Sequence, residues 1–158
     1  MKFLKTLRID PSDARVFEHA AEPGELAIPG GFWFSGIKDS QLNGKTKQAF
    51  SNGFLSLESF GFSTFTCVAE IDEPGIDLIS SALGEKLITA FGAPTREAAA
   101  DAAMGEINFV LEMCSDVSIN SIFAIKREFG EKGEMLESFS IVDLPGEPLH
   151  TRVWEVVE

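Results

Sequence analysis

Ile76, Ile79, Leu83, Leu87 and Phe91 recur at steps of three and four residues, a period that fits a helix and not a strand. Asp72 precedes them as a cap, Pro74 suits a first helical turn, Gly92 ends the pattern and Pro94 blocks its continuation. Thr95 then opens a second helix reaching about Cys114, with Ala100, Ala103, Ile107, Val110 and Cys114 facing in. A Gly-Ala-Pro turn between two such helices predicts a helical hairpin. That hairpin occupies the middle of the chain and splits it into two β-type regions.

Before it, Phe3 to Ile9 reads as a strand with Phe3, Leu7 and Ile9 on one face. Asp10-Pro11-Ser12-Asp13 is a turn, Val16 to Ala20 a second strand, and Leu26 to Phe34 a third, bent at Pro29-Gly30-Gly31. Residues 40 to 52 form a helix with Leu42, Ala49 and Phe50 inward, weakened by Gly44. Phe60 to Ile71 is a strand with Phe65, Cys67, Ala69 and Ile71 on one face. Phe60, Phe62 and Val68 are on the other, which makes it central.

After the hairpin, Ile119 to Phe129 and Met135 to Leu144 flank Gly130-Glu131-Lys132-Gly133 as a β-hairpin. Phe123 and Ile125 are placed to pair with Phe139 and Ile141. A loop from Pro145 to Pro148 leads to a last strand, Arg152 to Val157. Strands, then helices, then strands predict a single α+β domain over 1–158. Its antiparallel sheet carries the helical hairpin and one further helix on one face.

Charge excludes whole classes of partner. The chain has 25 Asp and Glu against 13 Lys and Arg, a net charge of −12. Nucleic acids and anionic membranes need a basic footprint that this balance does not supply. No apolar run reaches the roughly 18 residues of a membrane span, and Lys5, Arg8 and Asp10 interrupt the start as a signal sequence. Cys67 and Cys114 form no CxxC pair or disulfide framework. A cytoplasmic location with reduced thiols is expected.

Several constellations fail on spacing. Gly44-Lys45-Thr46 lacks the upstream glycine of a phosphate loop, because position 39 is Asp39. Glu147 and His150 have metal-ligand spacing, but Gly146 and Pro148 oppose the helix it requires. Two His and two lone Cys leave no zinc set of four N/S ligands. A carboxylate site for Mg²⁺ or Ca²⁺, at Asp72-Glu73 or Glu112 with Asp116, stays open beside capping and solvation. Cys67 with His19 or His150 as base is conceivable, but an inert core thiol explains Cys67 more simply. No cofactor is indicated.

The aromatic usage is the unusual feature: 14 Phe, 2 Trp and no Tyr. Phe32-Trp33-Phe34 after Pro-Gly-Gly can line a pocket or an interface, while simple strand alternation would send Phe32 and Phe34 to the core and Trp33 to the other face. Two functions follow. The first is a non-catalytic accessory or protein-interaction domain, its partner itself in a small homo-oligomer or another protein, using surplus Phe with Trp33 and Trp154. The alternative is a small-molecule-binding domain or enzyme, with Phe32, Trp33 and Phe34 lining an apolar pocket on which His19 or Glu70 converges.

Asp10-Pro11-Ser12-Asp13, Val16-Phe17-Glu18, Ala20-Ala21-Glu22-Pro23-Gly24-Glu25, Gly44-Lys45 with Ala49-Phe50, and Gly53-Phe54-Leu55 carry a further signal. Over roughly residues 1 to 65 these phrases resemble a family of small alphaproteobacterial proteins of unknown function. The resemblance implies no activity and no site residues.

Overall fold

Eight strands form one antiparallel sheet in the computed structural model, which describes residues 1–9, 12–142 and, as backbone, 152–157. They are β1 (Lys2–Leu7), β2 (Leu26–Ile28), β3 (Phe54–Ser56), β4 (Phe62–Ser63), β5 (Phe65–Glu70), β6 (Ile122–Phe129), β7 (Met135–Val142) and β8 (Arg152–Val157). The order across the sheet is β4-β3-β2-β1-β5-β6-β7-β8. The helices are α1 (Asp13–Val16), α2 (Gly44–Asn52), α3 (Glu73–Phe91) and α4 (Arg96–Cys114). The fold is α+β. Pro145 to Pro148, Glu147 and His150 lie outside the described residues, as does the Trp154 side chain.

The helical hairpin forms where its periodicity places it. Asp72 Oδ1 accepts the Gly75 N–H at 2.8 Å, and Thr95 Oγ1 accepts the Ala98 N–H at 3.0 Å. Each bond satisfies one of the donors that a helix start leaves unpaired. Gly92 ends α3 at φ 69°, the left-handed region open to glycine. Ile76, Ile79, Leu83 and Leu87 are buried from α3, and Ala99, Ala103, Ile107, Val110 and Cys114 from α4. Ala100 is exposed and Ala99 takes its place, which completes a regular four-residue step to Ala103.

The β6–β7 hairpin pairs Phe123 with Ile141, Ile125 with Phe139 and Arg127 with Glu137. Those β6 residues are buried, whereas Lys126 and Glu128 on either side of Arg127 are exposed. The buried face meets α4 through Phe109 on Phe139, and α2 through Phe50 stacked on Phe129 at 4.6 Å between centroids. Helices α2 and α4 therefore cover the same side, and α3 packs against α4.

The first sixty residues depart most from expectation. The segment expected as a strand from Val16 to Ala20 begins inside the short helix α1 and touches the sheet only through a bridge from Ala20 to Phe62. Asp13 is buried and decides this: its carboxylate accepts from Thr64 N–H, Thr64 Oγ1 and Ser63 Oγ, pinning α1 to the β4–β5 corner. The strand from Leu26 to Phe34 stops at Ile28, and Gly31–Phe34 is a 3-10 turn. The stretch from Phe60 to Ile71 breaks at Thr64 into β4 and β5. On β5 the fully buried residues are Thr66 and Val68, while Phe65, Cys67 and Ala69 are half-buried. Ile9 lies past the end of β1 and is exposed, and Leu4 and Thr6 are buried instead of Leu7.

Candidate functional site

Two glycines build the site. Gly30 sits at φ 77°, and a Cβ there would meet the Leu55 Cβ at 2.5 Å. Only glycine satisfies both demands, so the chain turns at this point and β2 cannot continue. The 3-10 turn that follows aims Phe32, Trp33 and Phe34 in three directions, where a strand would alternate them. Phe34 is buried edge-on against Phe50. Trp33 is half-buried, lies parallel to Phe60 at 6.2 Å and meets Phe62 edge-on. Phe32 and Trp33 both pack on Phe91, with 5.2 and 5.3 Å between centroids.

Gly61 is the second. A Cβ there would sit 2.7 Å from backbone atoms of Ala20 and Ala21. The bare glycine lets the 19–21 segment lie on the chain, where Phe62 N–H donates to His19 O and Ala21 N–H to Phe62 O. Phe60, one residue earlier, has φ 59°. That conformation costs a non-glycine residue on the order of 1 kcal/mol and is retained where packing over-determines it. Here it holds the Phe60 ring against Trp33.

Between these parts lies a cavity of about 230 Å³. Trp33, Phe34, Phe60 and Phe62 form its aromatic wall. Lys45, Thr46 and Ala49 of α2 form a second side, and Glu18 and His19 a third. Lys86 of α3 reaches the same wall, its Nζ 4.8 Å from the Phe60 centroid and 5.6 Å from that of Trp33. His19, Trp33 and Phe34 thus converge on one cavity. Phe32 packs beside it, and Glu70 is exposed at the end of β5 without lining it. Phe60 and Lys45 join it unforeseen, and Lys86 lies over the Phe60 and Trp33 rings without lining it. The turn Glu58-Ser59-Phe60-Gly61 was the available signal for Phe60.

A second cavity, of about 350 Å³, opens on the other part of the same segment, between Pro29, Gly31, Gly105, Phe109, Glu106 and Glu137. Behind it Arg127 is 1 % exposed and Glu137 3 %. Arg127 Nε donates to Glu137 Oε2 at 2.9 Å, Nη1 to Phe50 O at 2.7 Å, and Nη2 to Pro29 O at 2.7 Å. One guanidinium therefore ties β6 to β7, to the end of β2 and to the last turn of α2. A cation at helix C-terminal carbonyls also meets the negative end of the helix dipole. Burial first, and the Glu137 charge second, raise the Glu106 carboxyl above its ordinary value, opposed by Arg127.

The thiols show no activation. Burial pushes Cys114 up to about 12 and raises Cys67, against a smaller opposing effect of Lys5 on Cys67. His19 lines the aromatic cavity and Cys67 does not. Among the described residues, no group of three or more His, Cys, Asp or Glu is placed to hold a metal ion, and no helix is long and apolar enough to cross a membrane.

No curated protein and no solved structure matches the chain significantly. The likeness seen in the first 65 residues extends almost to the end of the chain: the profile of the Family of unknown function (DUF6505) matches residues 1–152, and the chain belongs to that family.

Proposed function

We propose that this protein is a binding domain for a small organic molecule, seated in the cavity between Trp33, Phe60 and His19. The convergence of an aromatic wall with polar groups from two separate segments carries the proposal. Small-molecule sites have this composition: an apolar lining that contributes burial, and a few placed polar groups that set orientation. The strained Phe60 backbone is consistent with a wall held ready rather than one filled by the core.

A second reading is an accessory role through self-association, in the cytoplasm. It draws on the outer groove of the helical hairpin, where Leu78 is 73 % exposed beside Ile88 and Ala100. Exposed apolar side chains along a groove mark contact surfaces. The occupant would be a second copy of the same face.

Native mass spectrometry of protein purified gently from its own host separates the two. The ligand-binding reading expects an excess of a few hundred daltons over the 17.2 kDa chain, lost in Trp33→Ala. Whole multiples of the chain mass with no excess would overturn it in favour of self-association. A bare monomer at micromolar concentration would count against both.

A further inference from the structure

We infer that the molecule bound in the aromatic cavity is a small aromatic anion, a compact ring system bearing a carboxylate or a phosphate; this rests on the binding reading above.

Three basic side chains gather at this one wall in a chain of net charge −12. Lys45 and His19, both exposed, line the cavity from separate segments, and Lys86 lies over the Phe60 and Trp33 rings. Among the described residues, Glu18 is the only acidic one in the lining. None of the three basic groups has a hydrogen bond or ion pair among the described residues. Lys86 is half-buried, so part of its hydration is replaced by aromatic faces, and among the described residues no counter-charge is in place. An ammonium gains about 1 kcal/mol or less from such faces at accessible sites, less than a carboxylate partner in a partly dry setting supplies. An anionic group at the cavity mouth would meet Lys45 and Lys86, and the imidazole N–H of His19 can donate to it. Three lysine or histidine donors on flexible stems suit either oxyanion, since lysine reads charge rather than planar geometry.

The body of the ligand follows from the wall. Parallel Trp33 and Phe60 and an edge-on Phe62 present flat surfaces, which favour a planar ring over a branched chain. At about 230 Å³ the cavity is below the 300–1,000 Å³ usual for drug-sized ligands, so one or two rings fill it.

The test compares 1-naphthoate and 1-naphthyl phosphate with neutral 1-naphthamide and cationic 1-naphthylmethylamine. Binding is followed at the Trp33 indole N–H in proton–nitrogen spectra, the signal being assigned with Trp33→Phe. The anions should bind about tenfold more tightly than the amide, and the amine more weakly still. In Lys45→Gln/Lys86→Gln, with a spectrum that is otherwise unchanged, the ratio of acid to amide affinity should fall towards one. A merely structural role for the lysines would weaken both probes and keep the ratio. An amide that binds as well as the acids, or a ratio unmoved in the double variant, would overturn the anion while leaving the pocket intact. If no probe moves the Trp33 signal, the pocket itself fails. Whichever acid binds better tells carboxylate from phosphate.

Discussion

The segment from Pro29 to Phe34 lines two cavities, and they treat charge in opposite ways. On the Trp33 side, Lys45, Lys86 and His19 stand around aromatic rings without ionic partners among the described residues. On the Pro29 side, Arg127 is buried and bonded to Glu137, Phe50 O and Pro29 O. A charge the protein satisfies itself holds the protein together. At the other cavity Lys45 and His19 keep their contact with solvent, and Lys86 rests on aromatic faces. The difference separates structure from site more clearly than residue type does, since both clusters mix aromatic and ionic groups. The two are also linked: Arg127 holds the C-terminal turn of α2, and the first turn of α2 supplies Lys45 and Thr46 to the other cavity.

The largest expected effect comes from breaking the satisfied cluster. Arg127→Met leaves Glu137 buried and unpaired, and should lower stability in urea unfolding by about 3–5 kcal/mol. Arg127→Met/Glu137→Leu should recover most of that loss, because well-packed apolar side chains often replace a buried pair at little cost. A double variant as unstable as the single one would show instead that the bonds to Phe50 O and Pro29 O dominate.

A smaller effect should come from the aromatic side. Gly61→Ala places a Cβ against the Ala20–Ala21 backbone, and backbone cannot rotate away. We expect about 1–3 kcal/mol of destabilisation from overpacking, together with weakened naphthoate binding as His19 is displaced. Destabilisation with unchanged binding would separate the 19–21 segment from the site.

The smallest effect concerns Glu106. Its raised carboxyl means that the folded protein keeps a proton that the unfolded chain releases from about pH 4 upward. Stability therefore falls as pH rises from there through the folded value, and the cost persists at neutral pH. Glu106→Gln should match the wild type below about pH 4 and be modestly more stable at pH 7. Equal stability at both pH values would mean that water reaches Glu106 freely.

The helical hairpin, the β6–β7 pairing and the central place of β5 were legible because each rests on a local period or a local cap. Asp72, Gly92 and Thr95 act within a few residues of themselves, and Phe123 meets Ile141 across a short connection between Phe129 and Met135. The region before residue 65 was less legible because its decisive contacts are distant in sequence. Asp13 bonds Thr64 about fifty positions away, and Gly61 faces Ala20 about forty away. His19, Trp33 and Phe34 could be singled out as chemistry-bearing residues beside turn glycines. Lys45 and Lys86 could not, since nothing local marks them, and Phe60 was marked only by the turn that leads to Gly61.

By itself the sequence determined the class of fold, the acidic surface and the periodic elements, because periodicity, capping and charge are properties of neighbours along the chain. Only the tertiary structure decided which charges are satisfied and which are left over. Arg127 finds its partners on β7, on α2 and at Pro29 just past β2, and Lys86 lies over aromatic faces with no carboxylate partner among the described residues. The same lysine or arginine codon serves either outcome, and the distinction arises only when distant segments close around it.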